Sequence, residues 1–510
     1  MEAFESILHP PGAAPKLATE APAWFADLHM DRVVASLTDG REEFELAPLL
    51  HTPLRDVDAV AWRQDVVRDL ADRRVLEAVR ELCAELGLVR RRLAPAERLP
   101  HPIQRQRWLL AAAEAWCAAV PAFDDRLAGL ELRSEALIGL RRHVSSYTSS
   151  DSFAALARET ADVVAGLDAV RYAVRVSGAR VTVGPFQDEP DVGEEVRATF
   201  ERFRRTVADR RRVTFPSRVQ ADHVETQILD RVAQLAPEPF AALARHSERH
   251  REFRDAPIVR FDREVQFYLA YLEHIEPLEE QGLRFSLPRV AAGSTQERAS
   301  QTFDLALAGR LAATGGTVVV NDFQLRGTER ILVVSGPNNG GKTTFARAFG
   351  QLHHLAALGL PVPGTDVRLL LADRVHAHFE REEELRTLRG GFEDELHRIH
   401  EILEAAGPDS VLIMNESFGS TTLHDALLVG SEIVRRISEL GALCVFVTFV
   451  DELASLNEHT VSMMSTVDPD DPARRTFRVV RRPADGLAHA AAVARRHRLT
   501  YEALRERIAR

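Results

Sequence analysis

The chain has 510 residues and a formal net charge of −11 at pH 7, with 45% hydrophobic and 28% charged residues. This length allows roughly two to four domains, and the composition can bury a core, which excludes a largely disordered chain. The negative charge excludes a generally basic surface, so any DNA contact must be local. No apolar run is long enough for a membrane helix and the start lacks the pattern of a secretory signal, so we expect a cytoplasmic protein that does not contact a membrane.

The region from about residue 20 to residue 290 carries apolar residues at spacings of three and four, which predicts long packed helices. Within it, Tyr172–Val183 alternates apolar and polar residues around Ser177-Gly178, which predicts a β-hairpin. We therefore assign residues 1–290 to a mainly α-helical region with a small hairpin insertion near 170–184. The three cysteines form no C-x-x-C pair, so they imply neither a disulfide framework nor a zinc site.

After about residue 290 the pattern changes to short apolar runs between helical stretches. The runs TVVV, ILVVS, VRLLLA, SVLIM and ALCVFVTF predict strands, and helical patterns cover 342–358, 392–406 and 423–440. Strands that alternate with helices predict a largely parallel sheet with helices on its faces. Residues 291–510 are thus predicted to form one α/β domain.

A phosphate-binding motif lies in this second region, directly after ILVVS and before a helical stretch. The pattern G-x-x-x-x-G-K-[ST] predicts a P-loop ATPase domain of the ABC-like kind, which uses ATP and Mg²⁺. Backbone N–H groups and the helix N-terminus would bind the phosphates, Lys342 would reach the β- and γ-phosphates, and Thr343 would bind Mg²⁺. The predicted nucleotide-binding residues are Gly336, Pro337, Asn338, Asn339, Gly340, Gly341, Lys342, Thr343 and Thr344.

The alternative is a glycine-rich turn that happens to precede a helix. Lysine occurs in this chain only at Lys16 and Lys342, which favours a functional role for the second. Further along, SVLIM leads into Asn415-Glu416, where a P-loop ATPase usually carries Asp-Glu. Glu416 is expected to polarise the attacking water, and Asn415 takes the position that holds Mg²⁺ through water but lacks the charge. Glu416 and Lys342 are the predicted catalytic residues, and an ordinary buried strand that ends at a polar turn is the alternative for Asn415-Glu416.

Several segments resemble, in order and spacing, the ATPase domain of the MutS DNA mismatch-repair family. They are GPNNGGKTT, LGLPVPG, LADRVHAHF, RGGFEDELHRI, NESFGSTTLHDA and VFVTFVDELASL. Upstream, LAPLLHTPLRDVDAVAWRQDVVRDL resembles the start of that family's helical core and lever region, and VVVNDFQL resembles its strand before the phosphate loop. The resemblance implies that Asn321 lies near the adenine.

The resemblance also implies a homodimer in which a signature segment of the partner touches each ATP. In this chain that segment is Gly390, Gly391 and Phe392, where the family usually has Ser-Thr-Phe; a glycine turn that caps the following helix is the alternative. Phe449 replaces a histidine near the γ-phosphate, and Asp451 replaces a polar or histidine position. With Asn415, these differences predict secure ATP binding and slow hydrolysis.

The expected function is ATP-dependent binding of mismatched, damaged or branched DNA in repair or recombination. The sequence begins with the helical core, and the family's domain that wedges a Phe-x-Glu element into a mismatch is not visible in it, so no visible element supports direct reading of a mismatch. Two arginine clusters are candidates to bind DNA phosphates. The alternative is that they are solvated helix faces. The clusters are Arg90, Arg91 and Arg92, and Arg202, Arg204, Arg205, Arg210, Arg211 and Arg212.

Two other classes of function are open. A nucleotide-gated scaffold would bind ATP, hydrolyse little and hold a protein partner without a DNA role, which suits the negative charge, Asn415 and Phe449. A transporter ATPase is a weaker alternative because the chain has no L-S-G-G-Q signature. The histidines at 353, 354, 376 and 378 form no set typical of metal ligands.

Overall fold

The computed structural model describes residues 4–178, 180–187, 223–293, 296–380, 391–418, 421–471 and 474–483. Its helices are α1 (Met30–Thr38), α2 (Ala47–His51), α3 (Val57–Leu70), α4 (Arg73–Arg98), α5 (Pro102–Ala128), α6 (Glu135–Thr148), α7 (Asp151–Asp168), α8 (His223–Leu235), α9 (Pro237–Arg249), α10 (Ala256–Glu280), α11 (Leu305–Ala312), α12 (Lys342–Ala357), α13 (Gly391–Ala405) and α14 (Leu423–Leu440). No helix in these ranges is long and apolar enough to span a bilayer.

The strands are β1 (Tyr172–Ser177), β2 (Arg180–Pro185), β3 (Phe285–Ser286), β4 (Arg289–Ala291), β5 (Glu297–Thr302), β6 (Asn321–Leu325), β7 (Ile331–Ser335), β8 (Val362–Pro363), β9 (Thr365–Leu370), β10 (Arg374–Phe379), β11 (Ser410–Asn415), β12 (Leu443–Val447), β13 (Thr460–Val467) and β14 (Arg475–Arg481).

The chain divides into two compact units. The first comprises Met1–Phe4, Leu70–Leu132 and Ile138–Asp262, and the second comprises Glu5–Asp69, Arg133–Leu137 and Arg263–Arg510. The second unit therefore combines an N-terminal stretch with the strands from β3 onward. The division into domains at residue 290 stays a prediction.

The first unit is mainly helical, and its two longest helices, α4 and α5, pack along each other. Leu82, Trp116 and Phe123 are buried in its core, and burial of an apolar side chain of this size contributes roughly 1.5–3 kcal/mol. Strands β1 and β2 pair antiparallel with Ser177 opposite Arg180, so a hairpin lies where the alternating pattern predicts it.

The second unit is built around a six-stranded sheet with the order β10-β11-β12-β7-β13-β14. All neighbours are parallel except β13 and β14, which are antiparallel. Strands β7, β11 and β12 are buried along their whole length. Strands covered on both faces need apolar residues at every position, which explains their unbroken apolar runs. The mixed α/β class predicted from the sequence is confirmed.

The order of this sheet determines where a ligand can bind. From β7 the chain reaches one edge of the sheet, returns through β11 and β12, and then continues on the other side of β7 as β13. Connections that diverge in this way leave a crevice at the carboxyl ends of the strands. The loop between β7 and α12 lies at that end of β7.

A second sheet has the order β4-β9-β5-β6, and β3 pairs with β8. The predicted strand over residues 317–320 is wrong, because the strand in this part of the chain begins at Asn321. The ladder with β5 starts at the pair Thr302 and Asn321, so the preceding residues have no strand partner in it. Thr317, Val318 and Val319 line a cavity instead.

Helix α12 is almost entirely buried, and N-terminal residues of the second unit pack along it. Gln351 Nε2 donates a hydrogen bond to the carbonyl of Leu28 at 2.8 Å. Nε2 of His354 lies 2.9 Å from the carbonyl of Leu50, and because a carbonyl only accepts, the histidine donates. The helix that follows the phosphate-binding motif is thus fixed by residues far from it in sequence.

Candidate nucleotide site

A cavity of about 650 Å³ lies beside the loop that joins β7 to α12. The predicted nucleotide-site residues that line it are Asn321, Asn338, Asn339, Gly340, Gly341, Lys342, Thr343, Thr344 and Glu416. Gly336, Pro337 and Asn415 are not part of its lining. The structure therefore brings most of the predicted residues to one concave surface.

The loop has the tight form that its glycines allow. Gly336 has a φ of 111° and Gly341, which caps α12, has a φ of 93°, a region that side chains disfavour. A Cβ atom on Gly340 would lie 2.5 Å from Oγ of Ser465 and 2.8 Å from the carbonyl oxygen of Pro337. The loop therefore packs closely on Ser465 of β13, and this packing requires glycine at position 340.

Lys342 is buried at the start of α12, with only 4% of its side chain exposed. Its Nζ donates to the carbonyl oxygen of Gly336 at 3.0 Å, and to Pro337 O and Asn338 Oδ1 at 3.4 and 3.3 Å. Burial lowers its pKa from the usual value of 10.5, and the nearby carboxylate of Glu416 partly opposes that effect. A polyanion in the cavity would favour the charged form of this lysine.

Glu416 faces the same cavity from the residue after β11. Its side chain is 44% exposed, and its Oε1 lies 3.8 Å from Nζ of Lys342. Its backbone N–H donates to the carbonyl of Val447 on β12 at 3.0 Å, and its φ is 55°. A non-glycine residue held in this sparsely populated conformation is a feature often found at functional sites.

Asn415 is the last residue of β11 and is buried. Its Oδ1, and the hydroxyl oxygens of Ser335 and Ser417, are buried without a hydrogen-bond partner among the described residues. Buried oxygens usually have such a partner, and the amide oxygen of Asn415 is of a type that can hold a hydrated Mg²⁺ ion through water. Within the described ranges, no cluster of His, Cys, Asp or Glu is suited to hold a metal by itself.

Several residues that line the cavity were not predicted from the sequence. They are Leu307, Arg310, Leu311, Thr317, Val318, Val319 and Phe477. Phe477 on β14 is one of these lining residues; it is 49% exposed and has a φ of 58°. Asn321 binds the same strand, because its Nδ2 donates to the carbonyl of Phe477 at 3.3 Å and its Oδ1 accepts from Val479 N–H at 2.7 Å. Only the fold brings these distant segments together.

The predicted signature segment lies at the start of α13. Gly390 falls outside the described residues, and Gly391 begins the helix. The ring of Phe392 packs against that of Phe418 at a centroid distance of 5.9 Å. Phe449 is exposed, and Asp451 begins a short 3-10 helix. A contact of this segment with a partner's nucleotide remains a prediction.

Of the two arginine clusters predicted to contact DNA, the structure describes one. The cluster from Arg202 to Arg212 lies outside the described residues. In the other cluster, Arg90 forms an ion pair with Asp262, and Arg92 Nη1 donates to the carbonyl of Ala111 at 2.6 Å. These two guanidinium groups therefore already have partners within the first unit.

Part of the region after residue 290 is similar to a known protein family. The family model described as MutS domain V matches residues 332–489. Over this segment, the chain is similar to domain V of the MutS family. The match includes the end of β7, the loop before α12, Glu416 and β14, so most of the residues that line the cavity fall inside it.

Curated relatives agree with the match. Over 147 residues the chain is 31% identical to an endonuclease MutS2 of Gemmatimonas aurantiaca, which covers 29% of this chain and 18% of that protein. Over 128 residues it is 33% identical to the DNA mismatch repair protein msh3 of Botryotinia fuckeliana, covering 25% and 11%. Over 182 residues it is 31% identical to the DNA mismatch repair protein MutS of Granulibacter bethesdensis, covering 34% and 20%. The chain thus spans about a fifth or less of the length of these relatives.

Proposed function

We propose that this chain is an ATP-hydrolysing, MutS-related protein that binds DNA in a nucleotide-dependent way. The observation that carries the proposal is the buried ammonium group of Lys342, which is held by its own loop and lies 3.8 Å from the carboxylate of Glu416 at the cavity. A lysine whose charge is disfavoured by burial gains most from a polyanionic ligand. A nucleotide triphosphate is such a ligand, and the glycine loop and helix N-terminus next to Lys342 supply N–H groups for it.

Each residue of the site has a proposed role. The loop from Gly336 to Gly341 would surround the phosphates, Lys342 would offset their charge, and Glu416 would orient the attacking water as general base. Thr343 and, through water, Asn415 would hold Mg²⁺. The ion supplies positive charge that offsets the charge on the phosphates. Asn415 is neutral, so we expect weak retention of Mg²⁺ and slow hydrolysis.

We further propose that the domain has the ABC-like P-loop fold and works as a homodimer. The order β10-β11-β12-β7-β13 with the loop after β7 supports this fold. Gly391 and Phe392, at the start of α13, would contact the partner's nucleotide together with Gly390. The bare N–H groups at a helix start favour a phosphate even without the hydroxyl groups that the family usually carries there.

DNA is the proposed macromolecular partner. Support comes from the relatives, two of which are named DNA mismatch repair proteins and one an endonuclease. The net charge of −11 makes a broad electrostatic DNA surface implausible, so binding is expected to be local and gated by the nucleotide. Mismatched, damaged or branched DNA is the proposed class of target.

The test is binding of the purified protein to homoduplex, mismatched and branched DNA, with and without ATP, over a salt series. We expect ATP to strengthen binding and affinity to fall steeply with salt, because each neutralised phosphate releases counterions. The variant Glu416→Gln should hold ATP without hydrolysing it and should retain the ATP-dependent binding. Glu458→Gln, an exposed acid outside the cavity lining, is the matched control.

Two results would separate the proposal from the scaffold alternative. No DNA binding at low salt, with ATP binding intact, would favour a nucleotide-gated protein scaffold. No ATP binding at all would remove the basis of both functions. ATP-dependent dimerisation, measured as mass in solution, tests the homodimer separately.

A further inference from the structure

The loop that follows β11 is tied to helix α13 by one buried carboxylate. The backbone N–H of Phe418 donates to Oε1 of Glu395 at 3.0 Å. The same oxygen lies 3.1 Å from Nε2 of His378 on β10. A carboxylate only accepts hydrogen bonds, so Nε2 of His378 carries the proton and donates it. Glu395 therefore joins a helix, a strand and the loop that carries Glu416.

The side chains of Glu395 and His378 are both buried in the protein. Glu395 is 5% exposed and His378 is 2% exposed. A buried carboxylate is costly unless donors compensate it, and here the backbone N–H and the imidazole supply two donors. Loss of the carboxylate would leave both donors buried without an acceptor, which is also costly. Glu395 therefore fixes the backbone of Phe418 through a buried hydrogen bond.

A second contact acts on the same residue of the loop. Phe392 lies three residues before Glu395, so both side chains lie on one face of α13. The ring of Phe392 meets the ring of Phe418 edge to face, and Phe418 is fully buried with a φ of 69°. The first turn of α13 thus fixes Phe418 by its backbone and by its ring.

Glu416 lies two residues before Phe418 and is fixed on its other side. Its N–H binds the carbonyl of Val447 on β12, and its φ of 55° is one that only a well-determined surrounding maintains. The carboxylate of Glu416 is therefore aimed at the cavity by two anchors, β12 before it and α13 after it. The second anchor depends on Glu395.

We propose that Glu395 is a positioning residue for hydrolysis, which keeps Glu416 aimed at the nucleotide by holding Phe418 against the start of α13. This role rests on the ATPase function proposed above. It also links Glu416 to Gly391 and Phe392, the residues proposed to contact the partner's nucleotide. A purely structural role in the core would instead affect folding and ATP binding as much as turnover.

The experiment compares Glu395→Ala, Glu395→Gln and the control Glu401→Ala, which removes an exposed acid from the same helix. For each protein, ATP affinity is measured by equilibrium binding and kcat in steady-state hydrolysis. For Glu395→Ala we expect kcat to fall about tenfold to a hundredfold, the loss typical of a small misplacement, with ATP affinity changed by less than about threefold. Glu395→Gln keeps an acceptor oxygen and should recover most of kcat.

A second readout reports on the contact without hydrolysis. Hydrogen exchange of the segment that contains the Phe418 amide should accelerate in Glu395→Ala and stay near the wild-type rate in Glu395→Gln and Glu401→Ala. If Glu395→Ala does not fold, His378→Ala removes one of the two donors that hold Glu395. It should lower kcat in the same direction by a smaller factor.

The outcomes separate this inference from the proposed function. Wild-type protein that neither binds nor hydrolyses ATP would overturn the proposed function before any variant is compared. Active wild-type protein with an unchanged kcat in Glu395→Ala would overturn the positioning role and leave the ATPase intact. Equal losses of ATP affinity and kcat, without rescue by Glu395→Gln, would also overturn it, because they indicate a structural role alone.

Discussion

The Nζ atom of Lys342 lies 3.8 Å from the Oε1 atom of Glu416, and both residues line the same cavity. Lys342 begins the helix after β7, and Glu416 follows β11, two strands away in the sheet. Parallel strands place their carboxyl ends at the same edge, so residues distant in sequence meet there. This pair sets the charge that a nucleotide would encounter.

Removal of the negative charge of Glu416 should separate binding from hydrolysis. In Glu416→Gln the carboxylate no longer repels phosphates or competes for Lys342, so we expect ATP affinity to rise by about twofold to tenfold. Loss of the proposed general base should lower kcat by about a hundredfold or more. Equilibrium ATP binding and steady-state hydrolysis measure the two effects, and weaker ATP binding by the variant would contradict the proposed geometry.

The two lysines of this chain allow a test of Lys342 with a matched control. Lys342→Met removes the buried ammonium group and should weaken ATP binding by about tenfold to a hundredfold, because charge-assisted hydrogen bonds to phosphate contribute roughly 1.5–3 kcal/mol each. Lys16→Met changes the only other lysine, which is exposed, and should bind ATP like the wild type. Equal affinities for all three proteins would exclude Lys342 from the phosphate site. Binding is measured by isothermal titration calorimetry.

Asn415 should determine the requirement for Mg²⁺. In Asn415→Asp a carboxylate replaces the amide, and anionic oxygen is the stronger ligand for this cation. We expect the Mg²⁺ concentration for half-maximal hydrolysis to fall by about tenfold, with a higher kcat at low Mg²⁺. Hydrolysis is followed over a Mg²⁺ titration with Asn457→Asp as the control, since that asparagine lies outside the cavity lining. An unchanged titration curve would place the ion elsewhere.

The close contact between Gly340 and Ser465 predicts a local steric effect. A Cβ at position 340 meets the Ser465 hydroxyl and the Pro337 carbonyl, so Gly340→Ala must displace the loop and should cost about 1–3 kcal/mol, as overpacking does. ATP binding should weaken in parallel.

At Gly166, inside α7, a Cβ meets no atom within 4 Å. Gly166→Ala should therefore stabilise the protein by about 0.5–1 kcal/mol. Urea unfolding and ATP titration test both variants.

His354 should make the second unit sensitive to acid. Burial lowers the pKa of His354 to about 4, and its Nδ1 has no partner among the described residues, so a second proton there would be unsatisfied. The unfolded chain takes up this proton below about pH 6.5 and the folded chain does not, so stability falls as the pH drops from 6.5 towards 4. Each pH unit in this window costs about 1.4 kcal/mol.

The measurement compares urea unfolding of the wild type and His354→Gln at pH 7 and pH 5. The glutamine retains an amide donor for the carbonyl of Leu50 and does not titrate. We expect the loss of stability between the two pH values to be smaller in the variant by about 2 kcal/mol. Burial also lowers the pKa values of His9 and His246 to about 4, so only the difference between the two proteins reports on His354. Equal losses would contradict the prediction.

Much of the candidate site could be predicted from local sequence patterns. The helix predicted over 342–358 is Lys342–Ala357 in the structure, because glycines before it and an apolar face within it are signals that neighbours in the chain provide. The strands β7, β11 and β12 were predicted for the same reason. Their burial on both faces leaves an unbroken apolar run that is visible without the fold.

The missed parts of the site depend on contacts between distant residues. Strand β14 has the sequence RTFRVVR, which is mostly polar, and nothing in it indicates that Phe477 reaches the cavity. Ser465 underlies the phosphate-binding loop only because β13 lies beside β7. The bond between Glu395 and Phe418 joins residues that a reader of the sequence would assign to an ordinary surface helix and an ordinary loop.

The burial of α12 has a consequence for how this protein can be divided. Arg347, Gln351 and His354 on this helix bind backbone carbonyls of residues 27, 28 and 50, and Leu54 N–H binds the carbonyl of Ala357. A fragment that starts at residue 291 would keep the phosphate-binding motif and lose these partners, exposing an apolar helix to solvent. A fragment that keeps α12 buried therefore needs residues 27–54 as well, supplied in the same gene or as a separate peptide.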